Sequence, residues 1–426
     1  MAHGARSAPL PRTPIEVRLA AAGLPPLRRK AWLEIDLDAI RSNLAVIRAA
    51  VGPGVRVEPV VKADAYGHGA VAVSRALQDA GADGLWVATF DEAVELRAAG
   101  LVLPILVLYP VPTWCVAEAR RLDVALAAAG GEGLEALLAA ARAAEVASPS
   151  DAPLEVHLEV ETGLGRGGSL PSTAARDADA VRSTPGVRLA GLWTHLAAAD
   201  DPDSPAAQDA AFGAAVAGVA ERVGAIPGAR RHLAASGAIL AAVVDRWDAV
   251  RPGLAVYGLV PDALVAPAAT AAAAAALRPA LALVARAVRV TALPAGHGVG
   301  YGPAFVTERP SRIATLPLGY ADGWHRILTN RADALVRGVR APIVGRVSMD
   351  GVTVDVTDVP GQPVGLDDEF VLIGAQGDAR IDAAEVARAG TTISYEVVSA
   401  MARRLSRVYH AAGNPVGVRS LADREG

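Results

Sequence analysis

The sequence predicts an α/β chain in two parts: a (β/α)8 TIM-type barrel, followed by a mainly antiparallel β C-terminal domain. Three observations carry this expectation. From Val55 to Tyr257, short apolar runs alternate with alanine-rich, helix-forming stretches, the pattern of strand–helix units laid on a parallel sheet. Eight such units occupy this region, the number that closes a barrel. After Ala276 the helical stretches give way to valine-rich runs cut by glycine and proline, such as RAPIVGRVSMDGVTVDVTDV and EFVLIGAQG, the spacing of a small sandwich or barrel. An open doubly wound sheet is the alternative for the first part.

In chain order, residues 1–30 (MAHGARSAPLPRTPIEVRLAAAGLPPLRRK) read as a flexible tail. Prolines and arginines interrupt every apolar stretch in it, so no secretory signal is expected. Residues 31–275 follow as the barrel domain and residues 276–426 as the β domain. The barrel strands are expected at Val55–Val61, Gly84–Phe90, Pro104–Tyr109, Asp123–Ala128, Leu154–Val160, Val187–Thr194, Arg231–Ala234 and Ala249–Tyr257. Helices are expected at Asp91–Ala99, which opens with an acidic turn, and at Pro205–Val223. The run Ala271–Ala276 falls far short of the ~20 residues that span a bilayer and reads as helix or linker. Tyr395–Tyr409 is expected to be helical.

Composition excludes several classes of function. Hydrophobic residues make up 52% of the 426 and aromatics only 4%, which suits alanine- and valine-packed layers. The formal net charge is -4, and no basic tract is interleaved with aromatics, so no nucleic-acid partner is expected. Cys115 is the only cysteine, which excludes an intramolecular disulfide and a cysteine-based zinc site and points to a reducing, cytoplasmic setting. The eight histidines are scattered without an H-E-x-x-H pattern, so no metal is expected. His68 and His297 read as loop or hydrogen-bonding residues.

The first barrel strand runs into VVKADAYGHG. A strand that ends in lysine is ordinary by itself, but this lysine has company. The polar residues at or after successive strand ends are Lys62, Tyr109, Glu159 with Glu161, Thr194 with His195, Ser236, and Arg251 with Tyr257. In a barrel these ends converge on the face that carries active sites. The stretch GLGRGG, Gly163–Gly168, fits the G-x-G-x-x-G of dinucleotide-binding folds. That fingerprint also expects an acidic residue about 20 positions on, where this chain has a strand ending in THL.

Seven stretches, VVKADAYGHG, HLEVETGLGRGG, GLWTHLAAAD, VRPGLAVYG, GYGPAF, LPLGYADGWHR and GRVSMDGVTVDVTD, resemble the motifs of alanine racemases in order and spacing. The resemblance covers about Trp32 to Tyr409. It implies a pyridoxal 5'-phosphate (PLP) isomerase that interconverts L- and D-alanine for cell-wall peptidoglycan, working as a head-to-tail homodimer with shared active sites. It implies that Lys62 holds PLP as a Schiff base and serves as one of two bases, with Tyr301 as the other. Ser236, Gly253 and Leu254, with the hydroxyls of Tyr66 and Tyr395, match the phosphate site; Ser236 also suits a helix N-cap, and the two roles are compatible. Arg251 matches the arginine at the pyridine nitrogen; a guanidinium stays protonated and so cannot pass the ring a proton. His195 matches the residue linking Tyr301 to Arg251, Arg166 the residue orienting the substrate carboxylate, and Met349 and Tyr320 the pocket lining from the partner subunit.

Three positions depart from the family pattern. Glu159 stands where the family usually has a lysine that becomes carbamylated and pairs with the arginine; the charge is kept on a shorter arm. Ala235 replaces an asparagine beside Ser236, and Gly300 a serine before Tyr301. Rival readings are a racemase of serine or broader specificity, a PLP-dependent decarboxylase of the same architecture, and a non-catalytic PLP carrier. A decarboxylase would place an acid at the pyridine nitrogen and a cysteine on the partner loop, against Arg251 and the remote Cys115. A carrier would need neither the β domain nor Tyr301.

Overall fold

The computed structural model describes residues 13–148, 152–199, 201, 204–243 and 247–422. The chain divides into two compact units, one of Ala39–Ala65 with Ala70–Arg278, the other of the described residues up to Asp38, Tyr66–Gly69, and Pro279 onward.

In the first unit eight parallel strands pair in the order Arg56–Val57, Ala249–Arg251, Arg230–Ala235, Val187–Trp193, Leu154–Glu159, Val124–Ala128, Ile105–Val107 and Leu85–Val87. The curled sheet meets itself where Val60 bridges Trp86 in parallel. Ile105–Val107 and Val124–Ala128 are buried along their whole length, as expected of strands covered on both faces. Every expected strand overlaps an observed one; the seventh, expected at Arg231–Ala234, extends to Arg230–Ala235. The eighth is shorter than expected: it ends at Arg251, and Leu254–Tyr257 is a 3-10 helix, because Pro252 has no N–H for a ladder and its ring fixes φ. The alanine run lies in a helix, Ala268–Ala276.

A left-handed turn follows Val61. Ala63, Asp64, Ala65 and Tyr66 all have φ between 52° and 55°, a conformation that costs L-residues about 1–2 kcal/mol each. Hydrogen bonds at its start hold it: Glu92 Oε1 accepts the Ala63 N–H at 2.6 Å, and the Ala65 N–H reaches Val61 O at 2.9 Å. Glu92 is the third residue of a capping box with Thr89, and its other oxygen accepts the N–H groups of Ala88 and Thr89. The helix Phe90–Ala98 thus lends its N-terminal cap to the chain just after Lys62.

The second unit holds a mostly antiparallel sheet ordered Val339–Pro342, Asp333–Val336, Glu369–Gln376, Leu281–Arg286, Ala31–Asp36, Ser406–Ala411 and Asn414–Arg419, with Ala379–Ile381 paired to Glu369–Gln376. A second sheet joins Arg289–Leu293, Ser311–Leu316 and Val352–Asp355. Three expectations are corrected here. Ala31–Asp36, assigned to the barrel domain, pairs with Leu281–Arg286 and Ser406–Ala411. Of the expected tail, residues 1–12 lie outside the described residues, but Ile15–Ala21 is a helix whose Ile15 and Leu19 are fully buried and whose Arg18 bonds Glu34 at 3.0 Å. The segment Tyr395–Tyr409 is helical only in Ser394–Ser399; the β-favouring RVYHA stretch instead forms part of the strand Ser406–Ala411.

The barrel interior leaves little room. Between Val156 and His157 the strand register slips, so that His157 stands opposite Gly191. A Cβ at Gly191 would lie 2.4 Å from His157 Nδ1 and 2.8 Å from Arg230 O. Gly191→Ala should therefore destabilise the protein by about 1–3 kcal/mol, the usual penalty of overpacking, read as a lowered urea midpoint; an unchanged midpoint would show that the strand can shift.

Candidate active site

Within the barrel unit, Lys62, Glu159, His195, Ser236 and Arg251 all lie at or just beyond the C-terminal ends of parallel strands, and so at one end of the sheet. Lys62 is half-buried. Burial and the positive charge of Arg166 push its ammonium below the usual lysine range, with Glu92 opposing and Arg251 assisting. Arg251 is 3% exposed. Its Nη2 donates to Thr194 O at 2.6 Å and Leu233 O at 3.0 Å, whereas its buried Nε has no acceptor. Burial lowers its pKa to about 10, with Glu159 and Glu58 opposing.

His195 is pushed down to about 3 by burial, then by Arg251, Arg166 and Lys62, so it is a neutral imidazole at pH 7. Its Nδ1 is buried without a partner. The loop carrying it is tied by Gln208, whose Oε1 accepts the Ala197 N–H at 2.9 Å and whose Nε2 donates to Thr162 Oγ1 at 3.2 Å. Thr162 in turn bonds Thr194 at 2.7 Å.

Arg166 rides on a loop wrapped around Glu161, whose carboxylate accepts the N–H groups of Gly163 at 2.5 Å and Gly165 at 2.8 Å. Burial alone would raise the Glu161 pKa, but these backbone donors outweigh it and hold the carboxyl low. The Arg166 guanidinium lies over the Tyr109 ring, 5.8 Å from its centroid. Glu159 is 8% exposed, and burial raises its pKa against the pull of Arg166 and Arg251. Among the described residues no ion pair within 4.0 Å joins it to Arg166; the shorter arm leaves the two interacting through space. Ser236 Oγ accepts the N–H groups of Gly253 at 3.0 Å and Ala255 at 3.1 Å, which gathers Ser236, Gly253 and Leu254 at the last two strand ends.

The second unit contains Tyr66, Tyr301, Tyr320, Met349 and Tyr395. Tyr66 and Tyr395 pack with ring centroids 6.2 Å apart, and burial, then Tyr395, drives the Tyr66 phenol well above its usual range. Tyr301, Met349 and Tyr320 are 74%, 52% and 41% exposed within the single chain, and the backbone segments carrying Tyr320 and Met349 are tied to each other. The N–H groups of Tyr320 and Ala321 donate to Ser348 O and Met349 O, both at 3.1 Å. Beneath them the fully buried Asp322 carboxylate takes Arg29 at 2.5 Å, Arg404 at 2.7 Å and the Gly319 N–H at 3.0 Å, and Arg404 also bonds Asp350.

Several participants were not singled out from the sequence. Glu92 is one; the Thr89-x-x-Glu92 capping pattern was readable, but not the reach of its carboxylate to Ala63. Trp86 and Trp193 are two more: the Arg251 guanidinium carbon lies 5.1 Å and 4.9 Å from their ring centroids. In a chain with six tryptophans, two inside barrel strands were a usable signal. Among the described residues no helix is long and apolar enough to cross a membrane, and no group of three or more potential ligands could hold a metal ion.

Residues 35–261 match the family model described as alanine racemase, N-terminal domain, and residues 280–409 the one for the alanine racemase C-terminal domain. An alanine racemase of Syntrophobacter fumaroxidans is 38% identical over 382 residues, covering 89% of this chain and 97% of the relative. That of Desulfosudis oleivorans is 40% identical over 390 residues, covering 89% and 96%. Among solved structures, an alanine racemase of Bacillus anthracis with bound L-Ala-P superimposes with a TM-score of 0.82 at 33% identity, covering 92% of this chain and 98% of that one.

Burial is the first cause that holds His157, His195 and His232 below the usual imidazole range. Unfolded, each titrates near pH 6.5, so below that pH the unfolded chain binds more protons than the folded one and stability falls as pH falls. The expected slope approaches about 1.4 kcal/mol per pH unit for each buried histidine. Urea midpoints should be clearly lower at pH 5 than at pH 7; equal midpoints would mean that the imidazoles take up protons without opening the barrel.

Proposed function

The chain belongs to the alanine racemase family and is an isomerase that interconverts L- and D-alanine, and on that premise we propose how its residues carry out the reaction. The observation that carries the reading is the depressed Lys62 amine, half-buried at the barrel end that also holds Arg251, Glu159 and His195. Family membership implies pyridoxal 5'-phosphate, and the residues fit it. The orphaned Arg251 Nε–H suits an unprotonated ring nitrogen. The Ser236 hydroxyl and the backbone of Gly253 and Leu254, gathered at the last strand ends, suit a phosphate, and the family pattern adds the hydroxyls of Tyr66 and Tyr395. When bound, the cofactor draws electron density from the substrate Cα and so acidifies its Cα–H bond.

Racemisation needs a proton removed from one face of Cα and another delivered to the opposite face. Lys62 Nζ serves one face; its lowered pKa increases the neutral, basic fraction near neutral pH. Tyr301 of the partner subunit serves the other, in a homodimer whose sites are shared. The exposure of Tyr301, Met349 and Tyr320 supports this reading, since a partner would cover them. His195, held neutral, accepts or donates a hydrogen bond between the partner's Tyr301 and Arg251 without adding charge. Arg166 holds the substrate carboxylate, and Glu159 balances the positive charge of Arg166 and Arg251. The single cysteine suits a cytoplasmic setting, and D-alanine for peptidoglycan is the expected use of the product.

The direct test follows L-alanine by polarimetry: rotation should decay to zero with added PLP and persist with Lys62→Ala. Borohydride should fix the cofactor to Lys62; attachment at another lysine overturns the assignment. Mixing inactive Lys62→Ala with inactive Tyr301→Phe chains should restore activity, since one of the two shared sites in each heterodimer is intact. No recovery after verified subunit exchange would count against shared sites.

For Glu159→Gln, kcat/KM should fall on the order of 10-fold, the rate equivalent of losing one partly screened charge interaction, with the cofactor absorption band unmoved. An unchanged kcat/KM, with Arg166→Ala still crippled, would show that Arg166 is balanced by another group.

A further inference from the structure

Below the strand ends, the barrel interior contains a connected polar group that the reaction does not use directly. Glu58 is 2% exposed, and His157 and His232 are fully buried. Glu58 Oε2 accepts the Trp86 Nε1–H at 2.9 Å, and its Oε1 accepts from Arg230 at 3.0 Å and Arg56 at 2.9 Å. Arg230 Nη2 donates to His157 Nε2 at 3.0 Å, and His157 Nδ1 lies 3.1 Å from His232 Nε2. A guanidinium only donates, so His157 accepts at Nε2 and donates from Nδ1 to His232. The chain of bonds from Glu58 therefore sets the tautomers of both imidazoles.

Both ends of this chain meet at Trp86, and the His232 end also reaches Trp193. Trp86 is bonded directly to Glu58. His232 packs edge-on against Trp86, with centroids 4.6 Å apart at 80°, and lies nearly parallel to Trp193, 6.2 Å away at 12°. The two indoles stand 5.8 Å apart at 77°, forming a corner, and the Arg251 guanidinium lies over both rings, within the ~6 Å at which an aromatic face attracts a cation. Both tryptophans are 1% exposed, so water does not weaken the attraction.

We propose that Trp86 and Trp193, braced by Glu58, Arg230, His157 and His232, are positioning residues that grip the Arg251 guanidinium and thereby set its donor against the ring nitrogen of the cofactor. This rests on the reading of Arg251 as the residue facing that nitrogen. Its carbonyl bonds use only Nη2, and Nε has no acceptor among the described residues; the two ring faces add a second hold on the guanidinium. Electron density on the indoles then tunes how firmly the donor is held during turnover.

The test uses the full chain loaded with PLP and tryptophans carrying successively more ring fluorines, placed at position 86 and, separately, at 193. Fluorination drains the ring face while nearly preserving its shape. With more fluorines, kcat should fall stepwise, by about 3- to 30-fold across the series, the rate equivalent of a buried cation–π contact. KM should change little, and the absorption band of the bound cofactor should shift in the same order. Trp86→Phe, which keeps a ring face, should retain most of the activity that Trp86→Leu loses. A flat response of kcat and absorption to fluorination, with Arg251→Gln still moving the band, overturns the grip alone. If Arg251→Gln leaves both kcat and the band unmoved, the assignment of Arg251 to the ring nitrogen fails and the grip falls with it.

Discussion

One buried positive charge organises the barrel end of this protein. Taking a guanidinium out of water costs several kcal/mol unless its donors and its charge are answered locally. Arg251 is answered by two carbonyls, two aromatic faces and the fields of Glu159 and Glu58. The same charge acts on its neighbours. It helps keep His195 and His232 neutral and contributes to the lowered Lys62 pKa. The protonation states required of the lysine and the histidine follow first from burial at the barrel end, and the cations Arg166 and Arg251 reinforce both.

The second unit solves a different problem. Tyr301, Tyr320 and Met349 have uncovered side chains within the single chain. Asp322 is fully buried and bonded to Arg29, Arg404 and the Gly319 N–H, which makes the turn carrying Tyr320 a rigid platform. A surface side chain on a rigid base is pre-organised for whatever covers it, because little backbone order remains to be lost on association.

The fold was legible where period and punctuation agree. Eight apolar runs with helical spacers are a barrel signature, and each overlaps an observed strand. The strand ends named the polar residues at the barrel end, because alternation along a parallel sheet fixes which end they share. Legibility failed where a segment is defined by a distant partner. Ala31–Asp36 looks like the start of the barrel in order along the chain, but its partners lie some 250 to 375 positions later. Ile15–Ala21 is too short to declare itself as a helix; it is held by burial of Ile15 and Leu19. Glu159 was recognisable as a departure, but not that its carboxylate stops short of an ion pair with Arg166. The indole corner around Arg251 joins residues 86, 193 and 251, a constellation that no local pattern contains.

The left-handed turn after Lys62 has a consequence for how this segment can change. Four successive residues with β-carbons sit where glycine would be at ease, and the strain is carried by the bonds around them. Glycine at Ala63 or Ala65 would relieve that strain, yet it would also widen the conformations open to the backbone that aims the lysine. Thermodynamic comfort and a steady aim are opposed at these positions. The turn therefore favours residues that hold the lysine stiffly over residues that would relax the chain, and substitutions here are constrained by stiffness as well as by fit.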